Sequence, residues 1–69
     1  MPENSILYRL FCLRFDNGYT QHYIANVLGV SREVYCYLEN GRRELKLWHI
    51  MRLSRFYNVT TDYILFGSE

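Results

Sequence analysis

Arg42 and Arg43, with Lys46 three residues on, make the only dense cluster of positive charge in this chain. Guanidinium and ammonium groups, together with the backbone N–H groups of a turn, suit a phosphate backbone. The plainer alternative is a solvated charged loop, and Glu44 inside the run weakens the cluster. Arg32, upstream of it, has a planar fork that can grip guanine O6 and N7 with two hydrogen bonds. Glu33 can accept from cytosine N4, yet a carboxylate is equally favoured at the start of a helix without any ligand. Tyr37 offers a ring to a thymine methyl or a hydroxyl to a phosphate. No bond-making chemistry stands beside these groups. His22 and His49 have no nucleophile or carboxylate at useful spacing, and no glycine-rich phosphate loop exists. Cys12 and Cys36 lack metal-ligand spacing and read as two reduced, partly buried thiols. Neither an enzyme, a metal nor a cofactor is expected.

Arg32, Glu33 and Tyr37 need an element that turns them outward together. Between Gln21 and Asn40 the apolar residues Ile24, Leu28, Val30, Tyr35 and Leu38 are spaced for two short helices. Ala25 is small enough for the second helix to approach the first. Gly29 can take the positive φ that ends one helix, and Ser31 can cap the next. This is a helix-turn-helix pattern, the unit that places its second helix in the major groove of DNA. With Tyr35 and Leu38 committed to the core, the second helix turns Arg32, Glu33, Cys36 and Tyr37 outward, with Asn40 at its end.

Sixty-nine residues predict one domain, with residues 1–5 as a short frayed lead. A chain this short buries only about 60% of its unfolded surface, so modest stability is expected. The composition is 49% hydrophobic and 17% aromatic, which places some rings at the surface, where they invite a partner. Net charge is +1, so overall charge does not favour nucleic acid and only the local cluster can. The longest apolar run falls far short of the roughly 18 residues a membrane span requires. No membrane partner is expected, and the chain reads as cytoplasmic.

The segment from Thr20 to Arg43, TQHYIANVLGVSREVYCYLENGRR, resembles the helix-turn-helix of the lambda-repressor-like, or Cro-type (XRE), family. So do Arg14 four residues before Gly18, and the closing VTTDYILFG from Val59 to Gly67. The likeness covers residues 6–67 in order. It implies an all-α fold, a compact five-helix domain, with helices over about residues 6–16, 21–28, 32–40, 47–57 and a short one after Thr60. The resemblance further implies a sequence-specific double-stranded DNA-binding transcriptional regulator, a repressor, prokaryotic or phage-encoded and acting as a homodimer. Residue for residue, Arg32, Glu33 and Tyr37 fall where the family meets base edges. Gln21, Asn40, Arg42, Arg43 and Lys46 fall where it meets phosphates, and Arg14 pairs with Glu39. This sequence departs from the family at Tyr35, Tyr37 and Leu45, where a smaller branched residue, a polar or basic residue and a proline are usual.

Two surfaces carry alternatives. Helix 1 turns Ile6, Leu10 and Leu13 inward, but Leu7, Phe11, Cys12 and Phe15 are apolar as well. The second set either thickens the core contact or meets another copy or protein. In helix 4, Leu47, Ile50, Met51, Leu53 and Tyr57 are expected inward and His49, Arg52 and Arg55 outward. Trp48, Phe56, Tyr63 and Phe66 are the candidate dimer or partner surface, with capture by the core the alternative for Trp48 and Phe56. A second function class stays open on these residues: a protein-binding module of the same fold, such as an antitoxin, antirepressor or assembly partner. No small-molecule ligand is implied.

Overall fold

The computed structural model describes residues 5–68; of the expected lead at residues 1–5, residues 1–4 lie outside them and Ser5 caps the first helix. The chain forms α1 (Ile6–Asp16), α2 (Gln21–Leu28), α3 (Arg32–Glu39), α4 (Leu47–Tyr57) and α5 (Thr61–Phe66). Four of the five begin with a hydroxyl cap. Ser5, Thr20, Ser31 and Thr60 accept from the N–H groups of Tyr8, Tyr23, Val34 and Tyr63 at 2.9–3.2 Å. Each bond satisfies a first-turn donor that no helical carbonyl reaches.

The turn that sets α3 against α2 rests on Gly29 at φ 74°, which lets Val30 N–H return to Ala25 O at 3.0 Å. Ala25 is fully buried at that crossing, so a larger side chain would force the two helices apart. The core is Leu10, Ile24, Ala25, Leu28, Tyr35, Leu38, Ile50, Leu53 and Ile64, with a contribution from every helix. Full burial of a side chain such as Ile24 or Leu53 stabilises the fold by about 1.5–3 kcal/mol. α2 packs on α3 and α4, while α5 closes the domain against α1 and α4.

Arg9, which no sequence signal singled out, joins the first and last helices. It is 8% exposed, and its Nε and Nη2 donate to the Ile64 and Leu65 carbonyls at 2.8 and 2.9 Å. Those carbonyls lie at the C-terminal end of α5, where acceptors lack helical partners. Elsewhere on α1, Leu7 sits close against Gly41 in the loop after α3, whereas Phe15 stays 66% exposed, stacked on Phe11.

In α4 the expected register is corrected. His49 and Ser54 are buried, while Leu47 and Met51 are 65% and 39% exposed. The inward face runs through His49, Ile50, Leu53 and Ser54, so the stripe that begins at Leu47 is displaced from it. A polar ring can face inward here because a backbone group satisfies it, as described below. Tyr57 lies partly inward, and its buried hydroxyl has no hydrogen-bond partner among the described residues. Burial in turn raises the Tyr57 pKa.

Candidate nucleic-acid interface

α3 is held from beneath. Tyr35 and Leu38 are each 2% exposed and anchor its inner side to α2. Tyr35 takes the position with its whole ring inside the core. Its phenol is pushed well above the ordinary range by burial, and further by the charge of Glu39 and a hydrogen bond to it. The outer side is left to Arg32, Glu33 and Tyr37, all exposed. Arg32 Nη2 and Glu33 Oε1 are 3.8 Å apart, a loose surface pair worth well under about 1 kcal/mol, so neither side chain is committed by it. Cys36 is half-buried between the two sides, its Sγ accepting from Asn40 Nδ2 at 3.3 Å. Helix α3 ends at Glu39, one residue earlier than expected, and Asn40 is its cap.

The Arg14–Glu39 pair ties this helix to α1. Arg14 Nε donates to both Glu39 oxygens at 3.2 and 2.9 Å, and Nη2 donates to Oε1 at 2.8 Å. Nη1 donates to the Tyr19 carbonyl at 2.9 Å, and the guanidinium lies over the Phe11 ring. The hydrogen bond to Glu39 raises the Arg14 pKa despite the opposing effect of burial. Only 3% of the Glu39 side chain is exposed, so among the described residues Arg14 supplies the countercharge that compensates it, beside the Tyr35 hydrogen bond.

Two open clefts flank α3. One, of about 410 Å³, lies on the Glu39–Asn40 side and is lined by Gln21, Asn40, Tyr8, Phe11 and the Arg14–Glu39 pair. Gln21 is there because Thr20 caps α2 one residue earlier, which sets Gln21 in the first turn. That turn carries the positive end of the helix dipole. The other cleft, of about 290 Å³, lies on the Val34–Leu38 side. Arg43, Glu44 and Lys46 rim it, Trp48 walls it and His49 lies within it. The expected phosphate residues are thus divided, Gln21 and Asn40 on one flank and Arg43 and Lys46 on the other.

One expectation about the loop is corrected. Its backbone N–H groups were expected to help hold phosphate, but those of residues 40–43 turn back onto α3. Asn40 donates to Cys36 O at 3.0 Å and Gly41 to Leu38 O at 3.4 Å. Arg42 and Arg43 both donate to Tyr37 O, at 2.8 and 3.2 Å. The carbonyls at the end of α3 lack helical donors, and the loop supplies them. Any phosphate contact from this loop falls to the exposed side chains of Arg42, Arg43 and Lys46.

The candidate partner surface divides as well. Trp48 and Phe66 are 44% and 73% exposed. Phe56 and Tyr63 are half-buried against the core, and the Phe56 ring meets Tyr19 and Tyr23 at 5.2 and 6.1 Å. Phe56 is therefore spent within the fold. The exposed apolar face of α4 is instead Leu47, Trp48 and Met51, with Arg52 over the Trp48 ring. Sequence reasoning missed Leu47 and Met51 because it turned them inward.

A helix-turn-helix family model matches residues 13–64. Over 61 residues the chain is 37% identical to the SPbeta prophage-derived uncharacterized HTH-type transcriptional regulator YonR of Bacillus subtilis (strain 168). That match covers 88% of this chain and 56% of the relative, so the chain spans little more than half of the relative's length. The fold is also that of a transcriptional regulator from Listeria innocua, with a TM-score of 0.82 at 21% identity. There the alignment covers 96% of this chain and 61% of the other. With the family's segments matched in order and the five helices in place, the chain belongs to the Cro-type (XRE) helix-turn-helix family.

Proposed function

We propose that this chain is a sequence-specific regulator of transcription that binds double-stranded DNA with α3 in the major groove, as a homodimer in the cytoplasm. It represses by occupying its operator. The observation that carries this reading is the outer face of α3. It presents uncommitted Arg32, Glu33 and Tyr37 between two flanks, with Gln21 and Asn40 on one and Arg43 and Lys46 on the other. A helix lying in a groove needs base-reading groups at its centre and phosphate-holding groups to either side. A single module of this size offers about 600–1,000 Å² of contact, too little to read more than a few base pairs, so two copies are required. Trp48, Leu47 and Met51 on α4, together with Phe66, are the apolar surface available for that pairing. No cofactor or catalytic role is assigned.

The second reading, a protein-binding module, draws on the same exposed side chains and on the net charge of only +1. Salt separates the two. With Arg42, Arg43 and Lys46 engaged in each of two copies, log K is expected to fall with log salt at a slope of about −5. A fluorescence-anisotropy titration of a labelled duplex between 50 and 300 mM salt (an experimental range of about sixfold) measures it. A slope near zero, or no binding, favours the protein module.

A further inference from the structure

Helix α4 begins differently from the other four. Its N-cap residue is Lys46, whose side chain has no acceptor to offer the first turn. The reverse bond is present instead: Lys46 N–H donates to His49 Nδ1 at 2.9 Å. His49 thereby fixes the backbone at the point where the loop bearing Arg42, Arg43 and Lys46 enters α4. We propose that His49 is a positioning residue for this phosphate-contacting loop, and that the loop's full grip on DNA requires its imidazole to be neutral. The DNA half of this statement rests on the function proposed above.

The geometry allows one protonation state. Nδ1 accepts, so it carries no proton, and the ring hydrogen is on Nε2. A second proton would go to Nδ1 and set two donors against each other, which breaks the bond to Lys46. The residues that line the cleft with His49 are mostly apolar or cationic, which opposes that proton. From α3 and the turn before it come Val30, Val34 and Leu38, apolar and uncharged. From the loop come the cations Arg43 and Lys46, with Glu44 the one carboxylate that lines the cleft among the described residues. On its own helix, the Trp48 ring lies 4.0 Å from the His49 ring, centroid to centroid, and Arg52 stands over that indole. His49 as a whole is 6% exposed. Burial first, and then the charge of Lys46, lowers the His49 pKa.

The sign follows from linkage. The folded-state pKa lies below the unfolded value of about 6.5, so the unfolded chain takes up the proton first. The stabilisation is complete above that value and is lost as pH falls through the folded pKa. Where the fold survives, the loop is released instead. A helix cap is typically worth about fivefold in an equilibrium constant, which sets the expected scale.

The test compares wild type with His49→Gln, whose side-chain oxygen can still accept from Lys46 N–H but cannot titrate. His22, the other histidine, is common to both proteins and cancels in the comparison. On a labelled duplex, the ratio of wild-type to variant Kd is expected to rise about fivefold as pH falls from about 7.5 through the His49 midpoint, which lies below the ordinary imidazole value of about 6.5 and is located by the NMR titration described next. A constant ratio would overturn the coupling to DNA. Without DNA, the Lys46 amide resonance is followed by NMR as His49 titrates, with fluorescence of Trp48, the sole tryptophan, as a second probe. A large shift of the Lys46 amide at the His49 midpoint, absent in His49→Gln, supports the positioning role. An unmoved resonance overturns it. If neither protein binds duplex at pH 7.5, the DNA reading fails along with the pH effect on affinity, while the amide titration still decides whether His49 holds the loop.

Discussion

Replacing Arg14 with methionine is expected to cost about 3–5 kcal/mol of folding free energy. Methionine matches the aliphatic stem of arginine, so the loss is not chiefly one of packing. It comes from Glu39, which is left with its carboxylate 3% exposed and without the guanidinium that supplies three of its hydrogen bonds and its countercharge. The Tyr19 carbonyl loses a donor at the same time. Urea denaturation is the measurement, with a lowered midpoint and an unchanged m-value expected. A domain of this size has roughly 3–10 kcal/mol in hand, so the loss takes a large share of the variant's stability. Removing Glu39 as well should restore much of the loss, because an apolar pair leaves no buried charge. A single variant within about 1 kcal/mol of wild type would mean that the pair behaves as an exposed one.

Arg43→Glu should leave stability nearly untouched and greatly weaken DNA binding. Arg43 is exposed, and the structural bond at this residue runs from its backbone N–H to Tyr37 O, which the substitution keeps. The side chain rims the cleft beside Lys46 and Glu44, so a second carboxylate there would reverse the local field. Two copies would each lose a phosphate contact and gain a repulsion. Affinity is expected to fall by on the order of 100-fold at physiological salt, and the log–log salt slope to become shallower by about 2. Circular dichroism and urea unfolding of the variant separate this outcome from misfolding. Binding within about threefold of wild type, with an unchanged slope, would remove the loop from the interface.

The parts of this fold legible in the sequence are those specified locally. Ser31 after Gly29, Thr20 before Gln21 and Thr60 before Asp62 mark helix starts by chemistry that acts over three residues. Ala25 and Leu28 gave the crossing of α2 and α3 for the same reason. The register of α4 was not legible, because it depends on what satisfies a buried imidazole. Nothing in the neighbouring residue types says that Lys46 N–H will do so. Two apolar residues at Leu47 and Met51 then drew the stripe to the wrong face. Arg9 was missed on similar grounds, since its acceptors lie more than fifty residues away in α5. Within the site, the side chains facing outward from α3 could be read from helical period. The inward folding of the loop amides could not, since it answers a shortage of donors at the end of α3.

The reading of α3 as the element that recognises base pairs is tested most directly by selecting bound duplexes from a random DNA pool at near-physiological salt and sequencing them. An inverted repeat with half-site centres about 10 base pairs apart is expected. The same selection with Arg32→Ala should relax one position in each half-site, by about 1–3 kcal/mol of lost discrimination. Failure of the folded protein to enrich any sequence would contradict the account. The surface of Leu47, Trp48, Met51 and Phe66 would then mark this chain as a binder of protein rather than DNA.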